Sequence, residues 1–252
     1  MGLKTQARRP RNAYAFGVLA SLLLAGWLTP AFGAAAPSVP AFRASFDYYV
    51  LSLEWHPTFC AGRASLPECQ NPDFDRALVM HGLWPSRRGD TSNSFGYCGV
   101  DASIRQLDNA QSRCEMPAVP ISQETLAQLS ARMPGVDACL ERHEWYRHGT
   151  CSGLDAETYF ALADSLVSEA HDSRLGRFIA GHAGQTVSAD DAWSEAVADW
   201  GGAARDAVAF VCSRGALSEV RVTLSPAARS VAALSPAGMR STCGASFTIP
   251  AR

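Results

Sequence analysis

Branched and aromatic residues first concentrate at Phe46-Asp47-Tyr48-Tyr49-Val50-Leu51-Ser52-Leu53-Glu54-Trp55, a run that predicts a buried strand stopped by His56-Pro57. A second, shorter strand is expected over 76–80, delivering His81 at its end, with Gly82-Leu83-Trp84-Pro85 turning the chain away. From Ser86 to Pro120 the text is polar and carries Gly and Cys, so it reads as loop with one short helix. Ser122 is placed to cap a helix running to Met133, with Leu126 and Leu129 on one face. Asp155 caps a longer helix through His171, where Tyr159, Leu162, Leu166 and Val167 keep near-helical spacing. Trp193, Val197 and Trp200 recur at helical intervals in 190–200, which marks the tryptophans as core and not as a ligand platform. Strands at 207–212 and 217–224 close the pattern. Strands mixed with separated helices, without a regular β-α-β rhythm, predict an α+β fold.

The N-terminal end follows a different logic. Lys4, Arg8, Arg9 and Arg11 precede an apolar stretch from Ala13 to Leu28, and Pro30 and a small-residue run to Ala36 follow. That order predicts a secretory signal peptide over 1–36, cleaved near Gly33 to Ala36, with an uncleaved membrane anchor as the alternative. The remaining 37–252 fits one domain, since no linker, repeat or low-complexity tract interrupts it. Cleavage removes four cations and no acid, taking the formal charge from −2 to −6. A protein that grips nucleic acid by a broad basic face is therefore excluded, and any RNA chemistry needs local cations. The eight cysteines all lie downstream of the signal. An even set in an exported chain predicts disulfides, and no C-x-x-C pair supports zinc.

Reactive side chains gather in two segments, Met80-His81-Gly82-Leu83-Trp84-Pro85 and Arg142-His143-Glu144-Trp145-Tyr146-Arg147-His148-Gly149-Thr150-Cys151. On an α-helical wheel His143, Arg147, Glu144 and His148 share under half a turn, roughly 140°, with Trp145 and Tyr146 behind them. Gly149 stands where a helix takes its C′ glycine. Because His143 and His148 are five apart and not four, the wheel denies them a common metal ion, so neither metal nor other cofactor is expected. Two imidazoles, a carboxylate and a guanidinium suit RNA, which supplies its own 2′-hydroxyl nucleophile. One base must take that proton, one acid must protonate the departing 5′ oxygen, and cations must stabilise the transition state. Taken singly each residue has a plainer reading: a structural His81, a surface pair of Glu144 with Arg147, a core Trp84.

Together the two segments resemble the active-site segments of the ribonuclease T2 family, and 46–55 with Cys60 is similar to that family's first core strand. The resemblance implies a single α+β domain with a central antiparallel sheet flanked by helices, cleaving single-stranded RNA with low base specificity to 2′,3′-cyclic phosphate ends. It implies His148 as general base, His81 as general acid, Glu144 and Arg147 as stabilisers of the transition state, His143 as phosphate holder and Trp84 as a stacking platform for the base. It also implies the disulfides Cys98–Cys151 and Cys212–Cys243, with Cys60–Cys69 local and Cys114–Cys139 remaining. Arg147 departs from the lysine usual in the family, in a chain whose only lysine is Lys4. The alternative is thus an exported RNA-binding or signalling homologue weakened at Arg147. The expected setting is the periplasm or the extracellular space, with a monomer that has no DNA specificity and no stable membrane association.

Overall fold

The computed structural model describes residues 45–90 and 94–252; the expected signal peptide and the start of the expected domain lie outside them. Strand β1 (Tyr48–Trp55) runs where the apolar pattern placed it, with Tyr49, Leu51, Leu53 and Trp55 fully buried. Val50 and Ser52 on its other face are buried too, because β1 lies between β2 (Leu78–Ser86) and β5 (Ala216–Leu224), antiparallel to both. Helix α1 (His56–Cys60) follows at once, with Pro57 in its first turn, where a missing N–H costs nothing.

β2 corrects the sequence reading. It does not stop at Met80 but continues through Gly82 and Pro85 to Ser86, so His81 lies within the strand and not at its end. Pro85 is tolerated because β2 is at the edge of the sheet. Helices α2 (Ala102–Asn109), α3 (Gln123–Ser130) and α4 (Leu140–His143) occupy the stretch between β2 and the second motif. The α3 cap is as expected, with Ser122 accepting from the Thr125 N–H.

Helix α5 (Ala156–His171) is capped by Asp155 and packs Tyr159, Phe160, Ala163, Leu166 and Val167 into the core against β1 and β2. Each such large side chain stabilises the fold by about 1.5–3 kcal/mol. Tyr159 is buried with its polar end satisfied, donating its O–H to the Leu83 carbonyl at 2.6 Å. The sequence pattern showed no sign of α1, of α6 (Arg174–Gly181), of β3 (Gln185–Ser188), of α8 (Ala204–Ala207) or of the last strand β6 (Ser246–Ile249), whereas α7 (Ala189–Trp200) and β4 (Val208–Ser213) lie where it placed a helix and a strand. Trp193 and Trp200 on α7 are partly buried against the core, as their spacing required.

Among the described residues six strands form one sheet of order β2-β1-β5-β6-β3, with β4 also on β5. Its centre is antiparallel, and a single parallel bridge from Ala216 to Thr248 joins β6 and β3 to it. All eight cysteines are oxidised, pairing Cys60 with Cys69, Cys98 with Cys151, Cys114 with Cys139 and Cys212 with Cys243. Among the described residues no helix is long and apolar enough to cross a membrane.

Candidate active site

His81 owes its position to a flaw in strand pairing. Ser52 of β1 faces Gly82 of β2, but the next residue, Leu53, faces Met80, so His81 is the unpaired residue of a β-bulge. Bulges re-aim side chains, and here the imidazole swings over β1 to reach β5, where its Nδ1 meets Oε1 of Glu219 at 3.2 Å. Trp84, further along β2, meets the His81 ring edge to face at 5.1 Å.

The second motif winds in an unexpected way. Helix α4 passes at His143 into a π-helical turn over Glu144–His148, then into a 3₁₀ turn, Gly149–Cys151. A π turn spaces partners five apart, and such turns gather at functional sites. It brings the rings of His143 and His148 to 5.7 Å. Ligand atoms of His143, Glu144 and His148 then lie within 4.8 Å of one another. The wheel argument that kept the two histidines from a shared ion is therefore overturned, because it assumed α-helical pitch. A second grouping, His56 with Cys60 and Cys69, is closed to metal by the disulfide between its cysteines.

Gly149 is a further correction. It keeps right-handed helical dihedrals (φ −56°, ψ −39°) and is not a C′ glycine. Its lack of a side chain is steric: a Cβ there would stand 2.4 Å from the Trp145 ring. Trp145 and Tyr146 are buried behind the polar groups, as the sequence required.

The two motifs meet at one hydrogen bond. The Trp84 Nε1–H donates to Oε2 of Glu144 at 2.8 Å, and the indole stacks on His148 with centroids 5.3 Å apart. The Arg221 guanidinium lies 5.4 Å from the centroid of the same indole. Trp84 is thus engaged by protein groups at its N–H and ring as well as lining a cleft of about 380 Å³ with Tyr48, Arg87, Phe95, His148 and Arg221.

Electrostatics separate the two imidazoles. Burial depresses the His148 pKa well below 6.5, and the charges of His143, Arg147 and His81 push the same way. Burial also opposes charge on His81, but its hydrogen bond with Glu219 and the charges of Glu144, Glu219 and Glu54 raise its pKa above 6.5. Glu144 is itself pushed up by burial against the pull of His81 and His143, and its Oε1 has no hydrogen-bond partner, with His143 Nε2 at 3.9 Å.

Asp108 of α2 was not singled out from sequence. It is buried, and both its oxygens lie within 2.8 Å of His143 Nδ1, while the Tyr97 O–H donates to Oδ2 at 2.6 Å. Burial raises its pKa, but the bonds from His143 and Tyr97 outweigh that and hold it low. His143 therefore has Nδ1 anchored and Nε2 turned toward Glu144. Arg147 lies over the Tyr97 ring at 5.3 Å and reaches its hydroxyl at 3.4 Å, while its carbonyl accepts from the Tyr97 N–H. Tyr97 adopts φ +53°, and the Cys98–Cys151 bond fastens this loop beside the π turn.

Glu219 and Arg221 were also missed. They sit two apart on β5, hence on one face of a central strand whose Leu217, Val220 and Val222 are fully buried. Two charges in such a strand are the signal that could have found them.

The sequence profile of the ribonuclease T2 family matches residues 46–232. "Ribonuclease I" of Escherichia coli K12 is 33% identical over 229 residues, covering 80% of this chain and 84% of that protein. A protein named "Ribonuclease" from Aeromonas hydrophila is 32% identical over 62% of this chain and 58% of its own length. Among solved structures, RNase MC1 from bitter gourd seeds, as its N71T mutant with 5′-GMP, superposes with a TM-score of 0.56 at 22% identity, over 81% of this chain and all of that one. The SF11-RNase of Nicotiana alata gives 0.58 at 16% identity, over 82% of this chain and all of its own. These two likenesses speak to fold. The profile and the bacterial relative decide the family: the chain belongs to the ribonuclease T2 family and is an RNA-cleaving enzyme.

Proposed function

We propose that this ribonuclease cleaves single-stranded RNA internally, with little base preference, by attack of a 2′-hydroxyl on its own 3′ phosphodiester. His148 takes the 2′ proton as the O2′–P bond forms, and His81 gives a proton to O5′ as the P–O5′ bond breaks. The products are a 2′,3′-cyclic phosphate and a free 5′-hydroxyl. The carrying observation is that the surroundings displace the two imidazoles in opposite directions: burial favours the neutral, proton-accepting form of His148, while the bond to Glu219 and nearby carboxylates favour the charged, proton-donating form of His81.

His143, with Nδ1 on Asp108 and Nε2 turned toward Glu144 beside His148, is suited to hold a phosphate oxygen. Glu144, held at Oε2 by Trp84 and unbonded at Oε1, stands beside His143 Nε2 and is suited to help stabilise the charge that develops there. Arg147 adds the positive charge that the transition state gathers. Trp84 holds Glu144 and backs His148, and its exposed part offers a face to a base. No step in this scheme calls for a metal. The enzyme is read as exported, on the signal-like N-terminus and four disulfides.

Product analysis tests the scheme. Homopolymer RNAs incubated with the protein should yield cyclic phosphate ends, and His148→Ala should lose at least about a hundredfold in rate. Linear 3′ or 5′ phosphates as first products would overturn the reading.

A further inference from the structure

His81 is held by a residue that neither motif contains. We propose that Glu219 is the positioning residue of the acid step: by gripping Nδ1 of His81 it turns the opposite nitrogen, with its proton, toward the leaving oxygen. This inference rests on the reading of His81 as general acid.

The strand register builds the grip. β2, β1 and β5 are neighbours in that order, and Ser52 of β1 pairs with Gly82 on one side and Arg221 on the other. The His81–Glu219 contact therefore spans β1, next to the small side chain of Ser52 and across the bulge. A longer residue at 52 would stand in the way. Ser52 instead takes part, its Oγ–H donating to Glu219 Oε2 at 3.1 Å. Arg221 Nε donates to the same oxygen at 2.6 Å, leaving Oε1 for His81. The carboxylate is thus fixed by three groups before any substrate arrives. A charged acceptor at Nδ1 obliges that nitrogen to carry a proton, so Nε2 is the nitrogen that donates in the reaction.

The charged and titratable groups facing His81 are Glu219 and Arg221 of β5, Glu54 of β1, and Glu144 and His148 of the second motif. Among these, Glu219 alone is hydrogen-bonded to its ring. Burial pushes the Glu219 carboxyl up, but the bonds and charges of His81 and Arg221 bring it down to about 2, so it stays ionised at every working pH. Arg221 extends the device: the guanidinium that fixes Glu219 also lies against the indole holding Glu144.

The test compares two substrates: a dinucleotide, whose alkoxide leaving group needs an acid, and a uridine 3′-aryl phosphate, whose phenolate does not. Glu219→Gln keeps the shape and removes the charge. It should lower kcat on the dinucleotide roughly ten- to a hundredfold, less than the 10²–10⁴ of a whole acid–base contribution, since His81 itself remains. KM should stay within about twofold, and the alkaline limb of the pH profile should move to lower pH. Cleavage of the aryl ester should stay within about threefold of wild type. Ser52→Ala should shift the alkaline limb the same way by less, and serves if Glu219→Gln does not fold. Equal losses on both substrates, or an unmoved alkaline limb, would overturn the role of Glu219. His81→Ala on the aryl ester separates the underlying reading: a loss there as large as on the dinucleotide sinks His81 as the acid whatever Glu219 does.

Discussion

Trp84 of β2 and Glu144 of the π turn are joined by a hydrogen bond of 2.8 Å, and Gly82 lies directly beneath it. A Cβ at position 82 would stand 2.0 Å from the carboxylate oxygen and 2.3 Å from the indole nitrogen. Gly82 is therefore a steric requirement of the contact, not a turn signal. Gly82→Ala should part the two groups, with kcat/KM down at least about a hundredfold and stability reduced by about 1–3 kcal/mol. Kinetics alongside urea unfolding check this. Full activity in a folded variant would show that the contact is dispensable.

Trp84→Phe isolates the hydrogen bond itself. The ring stack on His148 is kept while a buried Glu144 oxygen loses its donor. An orphaned buried acceptor costs about 1–3 kcal/mol. Because burial already raises the Glu144 pKa, loss of the donor should raise it further. Activity should fall by about tenfold, read as a change in kcat with KM little altered.

The pH profile follows from the two imidazoles. His148 must be neutral and its pKa is depressed, so the acid limb should fall below pH 6.5. His81 must be protonated and its pKa is raised, so the alkaline limb should lie above 6.5. Together they give a broad bell in kcat/KM. Stability carries the same signs. The His81 contribution is complete below the unfolded value of 6.5 and is lost as pH rises through its folded pKa. For His148 the unfolded chain binds the proton first, so stability falls as pH drops below 6.5. A monotonic rate profile would refute this division of roles.

Much of this was open to a reader of the sequence, for physical reasons that vary by element. β1 and α5 were legible because buried faces leave strong periodicity and Asp155 has a cap's chemistry. β2 beyond His81 was not, since Gly82 and Pro85 carry turn chemistry that an edge strand happens to tolerate. The two histidine motifs stood out as clusters, but their relation to each other did not. The π winding that unites His143 with His148 breaks the pitch on which any helical wheel depends. Asp108, Glu219 and Arg221 reach the site from α2 and β5, and only tertiary structure brings them there. The short β3 and β6 are too brief to show a period.

Metal dependence gives a two-sided prediction. The proposed chemistry runs on imidazoles, so excess EDTA should leave the rate unchanged, and a loss restored by one added metal would refute the metal-free scheme. Yet His143, Glu144 and His148 offer two nitrogens and a carboxylate within 4.8 Å, backed by Asp108 on His143 and by Trp84 on Glu144. Such outer partners are the usual support of a bound cation. Added Zn²⁺ should therefore inhibit by occupying the base. Asp108→Asn should weaken that inhibition by roughly ten- to a hundredfold. Inhibition that is equally strong in the variant would place the ion elsewhere.

The Cys98–Cys151 bond closes a loop of 53 residues and holds the Tyr97 loop to the end of the π segment. The loop-entropy relation gives about 4 kcal/mol for a closure of that length. Replacing both cysteines by alanine should cost up to that amount in urea unfolding. The effect on catalysis should be separate. Tyr97 links the Arg147 side chain to Asp108, and Asp108 anchors His143, so loosening the loop releases both Arg147 and His143 at once. The double variant, assayed where it is still folded, should lose kcat and raise KM together. A stability loss with unchanged kinetics would show that the π turn holds its own geometry without the loop.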